Sequence, residues 1–172
     1  MVTDADGPPV GYYQRKGTTM IIPEKPTKDA GYLEAAARII FMGGLNRRVV
    51  DGKWEGFLQA FHSFDIPTVA AMGPADIDRL ASDDRVIKYL AKLQAIVFNA
   101  QEIQAAAEEH GDFGAYIKEM LLAGLPTACI ELSKRFAYIS KDGARNWLYS
   151  TGHDVGEVTD KVREKYAPYR PV

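Results

Sequence analysis

Cysteine is nearly missing from this chain. One residue, Cys129, cannot build a disulfide framework or a cysteine-based zinc site. Histidine is scarce as well. His62, His110 and His153 show no HxxxH or HxH spacing, so neither a metal site nor a cofactor is expected. No apolar run approaches the ~18 residues of a membrane span, so no membrane partner is expected. The net charge is -2, without the bulk positive excess of a strongly basic polyanion binder. A local basic face remains compatible with that total, because binding responds to patches. P-loop, Rossmann and nucleophile-elbow motifs are absent. So are internal repeats and any useful length of β alternation. The stretch Met1 to Pro9 is acidic and polar, unlike a secretion signal, and the expectation is a cytoplasmic protein.

What is present is a core. With 47% hydrophobic residues in 172, one compact domain is affordable in surface terms. The stretch 1–26 holds Pro8, Pro9, Pro23 and Pro26, and reads as an extended arm. Residues 27–165 read as a single helical domain, and 166–172 as a loose tail. Thr27 is placed to cap a helix from Lys28 to Met42. A second runs from Asn46 to Phe61, with a possible irregularity at Asp51-Gly52. Short proline-started helices follow, Ile66 to Met72 and Pro74 to Ala81. After the turn at Asp83-Asp84 comes a long run with Ile87, Leu90, Leu93, Ile96, Val97, Ala100 and Ile103 on one side, stopped by Gly111. Asp112 caps the next helix, Gly124 to Thr127 make a tight turn, and a helix runs from Thr127 to Phe136. Ser140 opens another, Lys141 to Thr151, and a last one starts at Asp154. The fold class is all-α, with about eight to ten short helices packed in one domain.

Three stretches carry a family likeness. They are "FHSFDIPTVAAM…DIDRL…IKYLAKLQAIVFNA" from Phe61 onward, "GGLN" at Gly43 to Asn46, and "KRFAYIS" at Lys134 to Ser140. Together they resemble bacterial DNA-3-methyladenine glycosylase I over roughly Tyr32 to Gly152. That resemblance implies the helix-hairpin-helix glycosylase type. It implies a monofunctional DNA N-glycosylase of base-excision repair, which extrudes an alkylated purine from double-stranded DNA and hydrolyses its glycosidic bond. No cofactor and a monomer are expected.

The resemblance also implies a pocket. Tyr12 and Tyr13 stand in the arm where the family carries pocket tyrosines. The family's base-reading glutamate falls at Ile39, and the aromatic after its "GL" motif falls at Arg47. Trp54 is a further base-pocket candidate, although its helical spacing also suits a core. The family's zinc clasp of two Cys and two His has no counterpart. Catalytic residues are not assigned. Glu24, Glu34, Asp51 and Glu102 read as solvated carboxylates, and Cys129 as a buried thiol.

For the DNA backbone, Thr127 lies in the turn where the family has its hairpin. Ser140 and Lys141 open a helix, with Lys134, Arg135 and Arg145 around them. Lys88 and Lys92, four apart, are placed on one face of the long helix. Two readings stay open: an active glycosylase of alkylated purines, and a catalytically inactive module of the same fold that binds DNA, a modified nucleobase or a protein.

Overall fold

The computed structural model describes residues 24–166, together with the backbone of two strands ahead of them. Those strands, β1 (Tyr12–Arg15) and β2 (Thr18–Ile21), pair antiparallel, with Tyr12 opposite Ile21 and Tyr13 opposite Met20. Part of the expected arm is therefore a hairpin. Its four-residue strands are too short to reveal themselves by alternation. Residues 1–11, 16–17 and 22–23 of the arm, and the tail beyond Tyr166, lie outside the described residues.

Nine α-helices follow among the described residues, as the all-α reading expects. Helix α1 (Asp29–Met42) begins one residue later than predicted. Lys28, not Thr27, holds the cap position and offers no side-chain bond. The Asp29 carboxylate in this first turn reaches across to α6 instead, accepting a hydrogen bond from Phe113 N (3.1 Å). Helix α2 (Arg47–Ala60) is capped by Asn46 and passes Asp51-Gly52 unbroken.

A left-handed turn leaves α2. His62, Ser63 and Phe64 all have positive φ, at 51°, 54° and 58°. Each such residue costs roughly 1–2 kcal/mol. The turn puts both Phe61 and Phe64 in the core, ring planes 6° apart and centroids at 5.7 Å. Trp54 stacks on Phe64 (5.5 Å) and on Phe57 (5.0 Å), so one aromatic block joins α2 to the turn. Burial of four such rings outweighs the backbone cost, at ~1.5–3 kcal/mol each.

Helices α3 (Ile66–Ala70) and α4 (Pro74–Leu80) are short and carry proline near their starts. Helix α5 (Leu90–His110) runs through the centre, with Leu93, Ile96, Ala100 and Ile103 fully buried. It starts three residues beyond Ile87, so Lys88 precedes the helix and the shared Lys88–Lys92 face is not formed. The acidic turn explains the delay. Asp83 accepts from Arg85 N (2.8 Å) and from the Arg85 guanidinium, which keeps the chain in a turn.

Helix α6 (Phe113–Leu122) is capped by Asp112, whose carboxylate accepts from Ala115 N at 2.7 Å. Gly124, at φ 99°, turns the chain straight into α7 (Leu125–Arg135). That pair is the hairpin expected at this place, although α7 begins two residues before Thr127. Helix α8 (Lys141–Ser150) follows, and then α9 (Asp160–Tyr166). The predicted start of the last helix at Asp154 is corrected. Asp154 accepts from Gly156 N (2.9 Å) and folds a turn, while Arg145 donates to Val155 O and Glu157 O and holds the loop down. Val155 and Val158 are buried from that loop rather than from a helix.

Candidate functional site

A cleft of about 530 Å³ opens between the C-terminal part of α1, the start of α5 and the start of α8. Its floor is apolar, made by Ile39 and Ile40. Its rims are aromatic. Tyr89 stands on one side at 50% exposure and Tyr138 on the other at 53%. Tyr166, the last residue of α9, also borders it. This size and make-up, an apolar floor with a few polar groups, suit a flat ring ligand.

Local structure places each wall. Ser140 caps α8: its Oγ accepts from Gly143 N at 2.9 Å. Gly143 is on the cleft surface, and a Cβ there would stand 3.1 Å from Ser140 Oγ and 3.5 Å from Ile39 Cγ2. The contact with Ile39 is an ordinary one, so what glycine spares here is crowding of the Ser140 cap hydroxyl. Tyr138 sits at φ 58°, a left-handed conformation that turns the chain just ahead of the cap. Buried Asn99, on α5, bonds both backbone groups of Ala137 and so fixes that segment.

Among the described residues lining the cleft, two carry formal charge. Lys92 Nζ donates to Gly43 O (2.8 Å) and lies 5.1 Å from the Tyr89 ring centre. Partial burial pulls its pKa below the usual lysine value. Asp142, in the first turn of α8, is the other.

The predicted base-pocket residues divide. Ile39 lines the cleft at 6% exposure. Trp54 does not: it is core, 4% exposed, its Nε1 donating to Glu34 (2.8 Å) with the Arg38 guanidinium 4.2 Å from its ring centre. Arg47 donates to Asp51 (3.2 Å) and to Glu164 O (2.6 Å), which ties α2 to α9. Tyr12 and Tyr13 lie in β1, and their side chains lie outside the described residues.

The predicted DNA-contacting residues divide too. Ser140 and Lys92 border the cleft, and exposed Lys141 adjoins it. Thr127 is exposed in the first turn of α7. Lys88 pairs with Asp84, and Lys134 with Glu131 at 3.3 Å. Arg135 is a half-buried bridge to Glu102 (2.8 Å) under the Tyr116 ring, and Arg145 holds the 155–157 loop. The carboxylates read as solvated are corrected in part: Glu34, Asp51 and Glu102 all carry partners. Cys129 is buried as expected, and burial pushes its thiol pKa up.

Sequence reasoning missed Tyr89, Tyr138 and Tyr166. Tyr138 lay within a quoted motif, but nothing in its spacing marked it as a rim residue. Tyr166, expected to begin the tail, is the last residue of α9.

The sequence profile of the methyladenine glycosylase family matches residues 33–137, more than half of the chain. The chain belongs to that family. Curated members align over shorter stretches. DNA-3-methyladenine glycosylase 1 of Escherichia coli K12 is 41% identical over 58 residues, 34% of this chain and 31% of that protein. DNA-3-methyladenine glycosylase of Haemophilus influenzae is 37% identical over 73 residues, 41% of this chain and 40% of that protein. The aligned stretches thus span between about a third and two fifths of these relatives' own length. Structural likeness reaches further. The structure of 3-methyladenine recognition by 3-methyladenine DNA glycosylase I from Staphylococcus aureus superposes with TM-score 0.65 at 21% identity, covering 78% of this chain and 82% of that one. The solution structure of a 3-methyladenine DNA glycosylase I gives 0.64 at 24%, covering 82% of each chain. At such identity these matches establish the methyladenine glycosylase fold. Among the described residues, no helix is long and apolar enough to cross a membrane.

Proposed function

We propose that this protein is a DNA glycosylase that hydrolyses the N-glycosidic bond of an alkylated purine extruded from double-stranded DNA. The carrying observation is the cleft itself: an apolar floor at Ile39 and Ile40, tyrosine rims, and a capped helix start at its edge, within a methyladenine glycosylase fold. The relatives are named for 3-methyladenine, and alkylation supplies the chemistry that such a cleft needs. An N3- or N7-alkylated purine is already a cation and leaves readily, so positioning and stacking accomplish much of the work. Tyr89 and Tyr138 would stack the ring. Lys141 and the α8 N-terminus would meet phosphate on one side, and Thr127 at the start of α7 on the other. The enzyme would act as a monomer in the cytoplasm.

The test is incubation of pure protein with methylated duplex, followed by separation of free bases. Release of 3-methyladenine or 7-methylguanine is the expected result. Lys141→Glu should weaken duplex binding several-fold at low salt. A second reading draws on one observation, the isoleucine at position 39 in the floor of the cleft. An inactive module would bind duplex in a salt-sensitive way and release no base.

A further inference from the structure

We propose that Asp142, on α8, is the residue that makes the cleft selective for a positively charged alkylated purine over its neutral parent. The inference rests on the nucleobase reading of the cleft. Among the described residues lining it, only Asp142 and Lys92 carry formal charge. Lys92 is committed to the wall, donating to Gly43 O at 2.8 Å and lying near the faces of Tyr89 and Phe41. Asp142 makes no hydrogen bond or ion pair among the described residues, and it is exposed on the cleft side of α8. The floor beneath is apolar, since Ile39 offers no charge.

Alkylation at N3 or N7 changes little in the shape of a purine but places a unit of positive charge on the ring. Stacking on Tyr89 and Tyr138 holds both rings, with a modest preference for the cationic one through the aromatic faces. A carboxylate discriminates further, because its attraction acts on the ring's charge. Asp142 also offsets Lys92. Without it, the charge left among the described lining residues, that of Lys92, would repel a cationic base. Charge selection therefore comes from α8, across the cleft from α1. Asp142 acts here as a specificity-determining residue, and it does not itself break a bond.

The experiment titrates the full chain with 7-methylguanosine and with guanosine, under mildly acidic conditions where the methylated ring carries its charge. Wild type, Asp142→Asn and Asp142→Glu are compared by calorimetry, with thermal melts confirming folding. Wild type should prefer the methylated nucleoside. Asp142→Asn should lose roughly two- to fivefold in affinity for it and little for guanosine, the size expected of one solvent-exposed charge pair. Asp142→Glu should keep the preference. If Asp142→Asn keeps the full preference, the assignment is wrong. If wild type binds both nucleosides equally, the nucleobase site stands and this inference falls. If wild type binds neither, the nucleobase reading falls and the inference with it.

Discussion

Asn99 and Ala137 share two hydrogen bonds across the domain. Asn99 Nδ2 donates to Ala137 O at 3.1 Å, and Ala137 N donates to Asn99 Oδ1 at 2.8 Å. One fully buried amide on the central helix thus replaces the strand-like partner that Ala137 lacks. Asn99→Leu fills the same space without either bond and leaves both Ala137 groups unpaired. The expected loss is about 2–4 kcal/mol in chemical denaturation. Because Ala137 precedes the rim residue Tyr138, nucleobase affinity should fall as well, more than in a control variant of equal stability loss elsewhere.

The turn after α2 holds three consecutive left-handed residues, and exposed Ser63 is the middle one. Its side chain makes no packing contribution comparable to Phe61 or Phe64. Ser63→Gly should remove the steric cost of φ 54° and stabilise the protein by up to about 1 kcal/mol, part of the gain being returned as chain entropy. The midpoint of urea unfolding measures it. A drop in stability would show that the turn is held by Ser63 itself.

His153 gives the molecule an acid limit. It is 7% exposed, bonded to the Tyr32 hydroxyl at 2.9 Å, and burial lowers its pKa from 6.5 to about 4. Tyr32 is moved the other way, to about 12, so the pair is neutral at physiological pH. A histidine whose folded pKa is lowered binds its proton more tightly when unfolded. Stability from this site is complete above pH 6.5 and declines as pH falls toward 4. The whole effect is up to ~3 kcal/mol. Unfolding free energy across that window should slope downward in wild type and flatten in His153→Gln. Equal slopes would place the acid sensitivity elsewhere.

Much of the fold was legible because its signals are local. Asn46, Asp112 and Ser140 stand at helix starts and cap them with their own side chains, and Gly111 and Gly124 end or turn helices. Helical spacing marked Leu93, Ile96 and Ile103 for the core. The errors came where a distant partner overrode a local preference. Helix α1 starts after Lys28 rather than Thr27, and its Asp29 bonds Phe113 N, 84 residues away, a partner no local signal shows. Asp154 turns back on Gly156 instead of starting a helix. The cleft was half legible. The family motif pointed to Ile39 and Ser140, which do share it. Tyr89, Tyr138 and Tyr166 are brought there by three separate segments, and no sequence period links them. Trp54 could not be told from a pocket residue until its stacking on Phe57 and Phe64 was seen.

The most direct measurement is a map of backbone amide shifts as free 3-methyladenine is added to the labelled protein. Binding in the α1–α5–α8 cleft should move Ile39, Lys92, Ser140 and Gly143 together, saturating with one affinity. Shifts confined to another hollow, such as the one beside Gly73 and Phe98, would contradict the account, as would no saturable shift anywhere.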